Sequence, residues 1–297
     1  MQVFDYFGID FTGLSDYYSS KELFWETWIS TPILCWGFGP FLILNVSFYT
    51  VALMSELLLS FNMVTLVSYK TNRNIEEKAI HRTQLLNKEP SMTTQLWESL
   101  WNSAGPVAIA NTCGLAVVMS YNVPGPYPLL PELDLFHCAI EVLKMFIVAD
   151  FFIYWTHRLL HESTFLWKFH AVHHTIGAPR PVSTGFIHPI DATFQEGLPV
   201  ILASMMFQPH PLVFYIFLVL HYSEKVFVHS GIDSLWINLT FRMGWLPFRA
   251  DAGHHVRHHK YCNHAKKATN YAESFMLWDW AFGTLNQTKN AQELKSN

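Results

Sequence analysis

Two copies of one pattern, H-x-x-H-H, lie at 170–174 and 255–259, and any fold of this chain must accommodate both. A third pair, His157 and His161 in H-R-L-L-H, precedes them. Residues three and four apart share a helical face, so each cluster is expected to aim its imidazoles at one common point. In the last run His254 and His255 both precede V-R-H-H, and only His255 repeats the earlier spacing. His188 in I-H-P-I-D and His229 in V-H-S-G lie between the clusters.

Neutral imidazole binds iron, zinc, copper and nickel, and about eight to ten of them serve two metals with open positions. A lone histidine is ordinarily a packing or surface residue, but a repeated pattern is not. A structural zinc site closes with four ligands, fewer than are present. A zincin protease needs H-E-x-x-H; Arg158 follows His157, and Phe165 stands where a second histidine would follow His161 and Glu162. A metal transporter would place its ligands inside membrane spans, whereas these lie at or beyond span ends. What remains is a redox-active metal pair at a membrane surface. Iron is favoured for O₂ chemistry, with copper and zinc open.

Composition supplies the membrane. The 297 residues are 51% hydrophobic and only 14% charged, against about a quarter charged in soluble domains. A net charge of −4, mixed in sign, gives no basis for nucleic-acid binding. Cys35, Cys113, Cys138 and Cys262 lack C-x-x-C spacing and read as buried, reduced thiols. No basic stretch precedes an apolar run at the N-terminus, so a cleaved signal peptide is not expected.

The apolar runs are Thr31–Tyr69, Trp101–Tyr121, Leu135–Trp155 and 197–228, the last broken by Q-P-H-P into a helical hairpin. Between them lie a polar segment at 70–98 and the turn-rich N-V-P-G-P-Y-P at 122–128. Basic residues gather in 70–98 and after Arg158, which puts the N-terminus outside or lumenal and the histidines in the cytosol. The expected fold is an all-α membrane protein, a single domain over 1–297, with about four transmembrane elements: three spans plus the helical hairpin. A cytosolic helical cap carries the histidine-rich dimetal site. Residues 31–130 are the N-terminal membrane spans and 135–285 the catalytic region.

As metal ligands the sequence offers His157, His161, His170, His173, His174, His188, His229, His255, His258 and His259. Ligating histidines usually donate their other N–H to a carboxylate or carbonyl, and Asp191, Glu196, Glu224 and Asp279 are candidates. Asp150 sits seven residues before His157 on the same helical face; it and Glu224 are placed as catalytic carboxylates. His210 at the hairpin tip is not expected to be a ligand. His81, His137, His221 and His264 read as surface or packing residues. Trp25, Trp28, Trp155, Trp167, Trp236 and Trp245 flank apolar runs as interfacial anchors.

The chain resembles the fatty acid hydroxylase/sterol desaturase superfamily, and within it the sterol C4-methyl oxidases (methylsterol monooxygenases). The resemblance rests on Y-W-T-H-R-L-L-H at 154–161, W-K-F-H-A-V-H-H at 167–174, H-P-I-D at 188–191, E-K-V-F-V-H-S-G at 224–231, the third histidine box, N-Y-A at 270–272 and W-D-W-A-F-G-T at 278–284. It implies a non-haem centre of two Fe ions (zinc in a purified sample), O₂ as oxidant and hydroxylation of a lipid, with a 4-methyl sterol favoured. It also implies reducing equivalents from NAD(P)H through a separate carrier, cytochrome b5 or similar with its reductase, and an endoplasmic reticulum membrane. The chain shows no dinucleotide fingerprint or fused haem domain, in keeping with a separate donor. Gly185 and Val256 stand where the sterol oxidases carry acidic residues. A sterol desaturase or a sterol or fatty acid hydroxylase therefore stays open, as does, outside the enzymes, a histidine-rich membrane metal transporter or sensor.

Overall fold

Long apolar runs in lipid must satisfy their own backbone hydrogen bonds, and helix does so within one segment. The computed structural model describes residues 26–66, 90–122, 134–176, 180–262 and 268–286. A π-helical turn, Ile33–Phe38, leads into α1, Gly39–Ser60. The run expected to continue to Tyr69 stops at Ser60, where Asn62 takes a left-handed φ of 55°. The chain then enters a two-residue strand, β1 (Thr65–Leu66), paired antiparallel with β2 (Ile232–Asp233).

Helix α2 (Met92–Ala104) begins well before the expected Trp101. Ser91 caps it, accepting from the Thr94 N–H at 3.1 Å, and residues that read as polar loop form an amphipathic helix burying Gln95 and Ser99. It ends at Gly105, where a Cβ would collide with the Trp101 carbonyl, and Pro106 opens α3 (Pro106–Asn122). Together 92–122 make one apolar stretch of membrane-crossing length.

Helix α4 runs unbroken from Leu135 to Glu162 and carries the first two histidines at its end. Its 28 residues give about 42 Å, enough to span. It also carries Glu141, Lys144 and Asp150, so it is not among the three described helices long and apolar enough to cross a membrane: Ile33–Ser60, Met92–Asn122 and Pro211–Ser230. The hairpin consists of α7 (Leu198–Phe207) and α8 (Pro211–Ser230). Gln208 turns left-handed with φ of 46°, and His210 accepts the Leu212 N–H, capping α8. Only α8 is long enough to cross; α7, at ten residues, reaches about 15 Å.

Helix α8 is the central element, packed against α1 and α4, while α7 packs on α4. Trp36, Met119, Met145, Phe146, Phe214 and Phe217 fill the space between them. Val46, Leu53, Val117, Leu135 and Phe136 point outward and exposed, as a lipid-facing surface requires. Five short helices accompany these: α5 (Trp167–His173), α6 (Pro189–Ala192), α9 (Leu235–Thr240), α10 (Ala252–Tyr261) and α11 (Leu277–Ala281). All four thiols are free; Cys35, Cys138 and Cys262 are buried, but Cys113 is exposed, contrary to expectation. His81, His264, Trp25 and most of the 122–128 turn fall outside the described residues.

Candidate metal centre

Nine histidines converge, all of them buried. The C-terminal turns of α4 supply His157 and His161, α5 and its cap supply His170, His173 and His174, the end of α8 supplies His229, and α10 supplies His255, His258 and His259. They form two sets. His157, His161, His170, His174 and His258 make one; His173, His229, His255 and His259 make the other, with the ligand nitrogens of each set within 4.8 Å of one another.

This partition corrects the expectation that each motif aims at a single point. The first and last histidines of H-x-x-H-H, four apart, share a site, whereas the one between them turns to the other site. His170 and His174 serve the five-membered set while His173 serves the four-membered one; His255 and His259 serve the latter while His258 crosses back. Adjacent helical residues diverge by about 100°, which makes the split unavoidable.

The spacing fits metal ions. Nε2 atoms stand 3.1 Å apart for His161–His258, His258–His174, His174–His170 and His259–His255. Two ligands at right angles on bonds of about 2.1 Å lie about 3.0 Å apart, while a tetrahedral edge is about 3.4 Å. His258 donates through Nδ1 to the Thr269 carbonyl, so its bare Nε2 lone pair faces the Nε2 atoms of His161 and His174, and a cation between them would be held by all three. The Nε2 of His157 is buried without a hydrogen-bond partner, as a ligand atom awaiting a metal would be.

Five of the nine histidines have the outer nitrogen held as ligating imidazoles require, while Nδ1 of His174, His255 and His259 is buried without a hydrogen-bond partner. His157 Nδ1–H donates to the Tyr271 carbonyl (2.7 Å), His258 to Thr269 (2.7 Å), His229 to Lys225 (3.0 Å) and His173 to Phe186 (3.3 Å). His170 pairs with the Asp191 carboxyl at 2.9 Å. Burial, reinforced by neighbouring imidazoles, holds His170, His174, His255 and His259 well below the ordinary histidine range. Burial also lowers His173 and His258 to about 4. All six are therefore neutral near pH 7, the form that binds metal.

His188 does not join them. It caps α6, its Nδ1 accepting the Ile190 N–H at 3.2 Å, and its ring packs on Phe169. Its place between the histidine clusters suggested a ligand, but as the N-cap residue before Pro189 it turns its ring to the Ile190 amide and Phe169. Asp150 and Glu224, expected at the chemistry, belong to neither set. The Asp150 carboxylate accepts the backbone N–H groups of Glu273, Ser274 and Phe275 (2.8–3.2 Å). Glu224 pairs with Arg249 and accepts from the Ser274 hydroxyl. Both anchor the 271–275 segment, whose Tyr271 carbonyl positions His157. Asp279 faces the non-ligand His254 (3.1 Å) and accepts from the Tyr271 and Ala272 N–H groups. Glu196 pairs with Lys225. Of the four carboxylates considered, Asp191 is thus the one touching a clustered histidine. Sequence reasoning missed Asn270, buried with φ of 61°, whose side chain ties the His254 carbonyl to both the N–H and carbonyl of Asn286.

A cavity with about 1010 Å³ of empty space, mouth included, opens between α1, α2, α3, α7 and α8. Gly185 and Ile187 in its wall flank Phe186, the carbonyl partner of His173, so it adjoins the four-histidine site.

Residues 142–284 match the family model described as fatty acid hydroxylase. Methylsterol monooxygenase 2-2 of Arabidopsis thaliana is 31% identical over 159 residues, covering 54% of this chain and 57% of that protein. Very-long-chain aldehyde decarbonylase GL1-11 of Oryza sativa subsp. japonica is 31% identical over 182 residues, 60% of this chain and 66% of that one. Ornithine lipid hydroxylase OlsE of Rhizobium tropici is 32% identical over 155 residues, 52% and 44%. The chain spans between 44% and 66% of the length of these relatives. No solved structure matches.

Proposed function

From the match of residues 142–284 to the fatty acid hydroxylase family model, we propose that this chain is a membrane-bound non-haem di-iron oxygenase that hydroxylates a sterol, with a 4-methyl sterol favoured. The observation that carries this reading is the division of nine buried, converging imidazoles into sets of five and four. Two iron ions bound there would supply O₂ activation and oxidation of an unactivated C–H bond. The chain's own residues do the rest. Histidines from α4, α5, α8 and α10 hold the metals, and the carbonyls of Tyr271, Phe186, Lys225 and Thr269, with Asp191, fix their rings. The enclosing helices exclude water, and the adjoining apolar cavity receives a lipid.

The sterol preference is supported by the flanking motifs and by the relative named as a methylsterol monooxygenase. Gly185 and Val256, lacking the acidic side chains of the sterol oxidases, favour a second reading: a sterol desaturase or another lipid hydroxylase of the superfamily. Electrons come from a separate carrier, cytochrome b5 or similar with its reductase. The basic loops support a cytosolic catalytic face on the endoplasmic reticulum. The test is expression in a sterol-pathway-deficient host, with sterols and fatty acids profiled by mass spectrometry with and without His173→Ala. A lipid change that disappears in the variant is expected; identical profiles contradict the reading.

A further inference from the structure

We propose that Tyr154 is a redox-active tyrosine: it passes single electrons between the protein surface and the five-histidine site, and hands its phenol proton toward Asp279 through Thr284. The proposal rests on the oxygenase reading for its oxidant, O₂, and otherwise on geometry.

The aromatic rings form a continuous path. The Tyr271 ring stands 5.6 Å from those of His157 and His161 and 6.0 Å from that of His258, centroid to centroid. Tyr154 meets Tyr271 edge-on at 5.9 Å, and Trp155 meets Tyr154 at 5.4 Å. Phe282 stacks on Tyr154 at 5.3 Å and touches Trp155 at 4.9 Å. Tyr154 and Tyr271 are buried, whereas Trp155 is 40% exposed. Trp155 thus opens to the surface and Tyr271 abuts three histidines of one set, with Tyr154 between them. Electron transfer weakens steeply with distance, so short steps between touching rings outrun one long jump.

A phenol gives up an electron readily only when its proton can leave with it, and Tyr154 has the means. Arg158 can only donate, so the Tyr154 oxygen accepts from its Nη1 at 3.2 Å. Thr284 has one hydroxyl proton, and it goes to the Asp279 carboxylate at 2.7 Å. The Tyr154 O–H is left to donate to the Thr284 oxygen at 3.0 Å. Phenol, hydroxyl and carboxylate are thus aligned as a proton relay. When Tyr154 loses an electron its O–H bond breaks, Thr284 takes that proton, and the former Thr284 proton passes to Asp279. Re-reduction reverses each shift.

The electrons balance. Reduction of O₂ to two waters takes four electrons and four protons, and a hydroxylated C–H bond supplies two of those electrons. With no lipid bound, those two pass one at a time through Tyr154. A one-electron carrier at Trp155 replaces each, and solvent supplies the protons. The path thereby discharges an oxidised centre that has no lipid to attack.

The test reads radicals by electron paramagnetic resonance. The purified full-length chain, loaded with iron and reduced, is mixed with O₂ in the absence of lipid and freeze-quenched, with O₂ uptake measured in parallel. A tyrosyl radical should appear, be absent from Tyr154→Phe, and form about 100-fold more slowly in Thr284→Val. Both variants should keep the metal content of the unaltered chain. O₂ uptake without a tyrosyl radical, or the same radical in Tyr154→Phe, overturns the proposal. Absence of O₂ uptake contradicts the oxygenase reading instead, and a metal-free arm then decides about Tyr154. There the chelated chain is oxidised by flash-generated ruthenium(III) tris-bipyridine, and Tyr154→Phe should remove most of the tyrosyl signal. Tyr49→Phe is the control, because the Tyr49 hydroxyl partner, Ser103, leads to the Leu100 carbonyl rather than to a carboxylate. It should leave the signal intact, and equal signals from the two variants overturn the proposal.

Discussion

His173 and His174 are consecutive in the chain, yet their rings stand at 84° and serve different nitrogen sets. His258 and His259 divide in the same way, at 88°. Each of α5 and α10 therefore holds part of both sites, and the two sites form as one unit.

The contact between His170 and Asp191 lies behind the five-histidine site. Burial, then Glu196 and Glu273, pushes Asp191 well above the carboxylate range, and Lys225 opposes them. A cation bound beyond His170 would favour the ionised carboxylate. Asp191→Asn should weaken iron binding about 10- to 100-fold while leaving the helical circular dichroism intact. Metal titration of the chelated variant checks this; unchanged affinity would show that Asp191 does not support the ligand.

His188 provides the contrast. His188→Ala should keep the full metal content and cost about 1 kcal/mol through the lost cap of α6. Elemental analysis together with thermal melting distinguishes this from a ligand role, in which metal would be lost.

The metal-free chain should be sensitive to acid. His173 and His258 fall from the ordinary 6.5 to about 4, through burial. A base whose folded pKa is lowered binds fewer protons folded than unfolded. Stability is therefore complete above the unfolded value of 6.5 and is lost as pH falls toward 4. Melting temperatures of the chelated protein should decline as pH falls through this window. A flat profile throughout contradicts the burial of neutral imidazoles.

Much of this was legible in the sequence, because spacing and hydropathy are local properties. The nine histidines, the apolar helices and the break at Q-P-H-P follow from residues within a few turns of one another. The partition into five and four did not, since it depends on where α5 and α10 cross. The roles of Asp150 and Glu224 were hidden for a similar reason. Asp150 is 123 to 125 residues from the amides it holds, and Glu224 is 25 from Arg249. A carboxylate on the face of a histidine helix reads the same whether it meets substrate or backbone. The early start of α2 was missed because its 92–98 turns bury Gln95 rather than an apolar side chain.

Asp150→Asn separates those two tasks. The variant replaces one accepting oxygen with an amide donor facing a backbone N–H, at about 1–3 kcal/mol of stability. Turnover per folded, metal-loaded chain should stay within about twofold of the original, whereas loss of a true acid–base carboxylate costs about 100-fold or more. Melting temperature and activity normalised to bound iron give the answer.

The most direct test of the whole account is a metal count. The purified chain should hold two metal ions, and removing one histidine from either set, His161→Ala or His259→Ala, should reduce the count toward one. One ion or none in the unaltered chain, or a full count in both variants, would contradict the paired site.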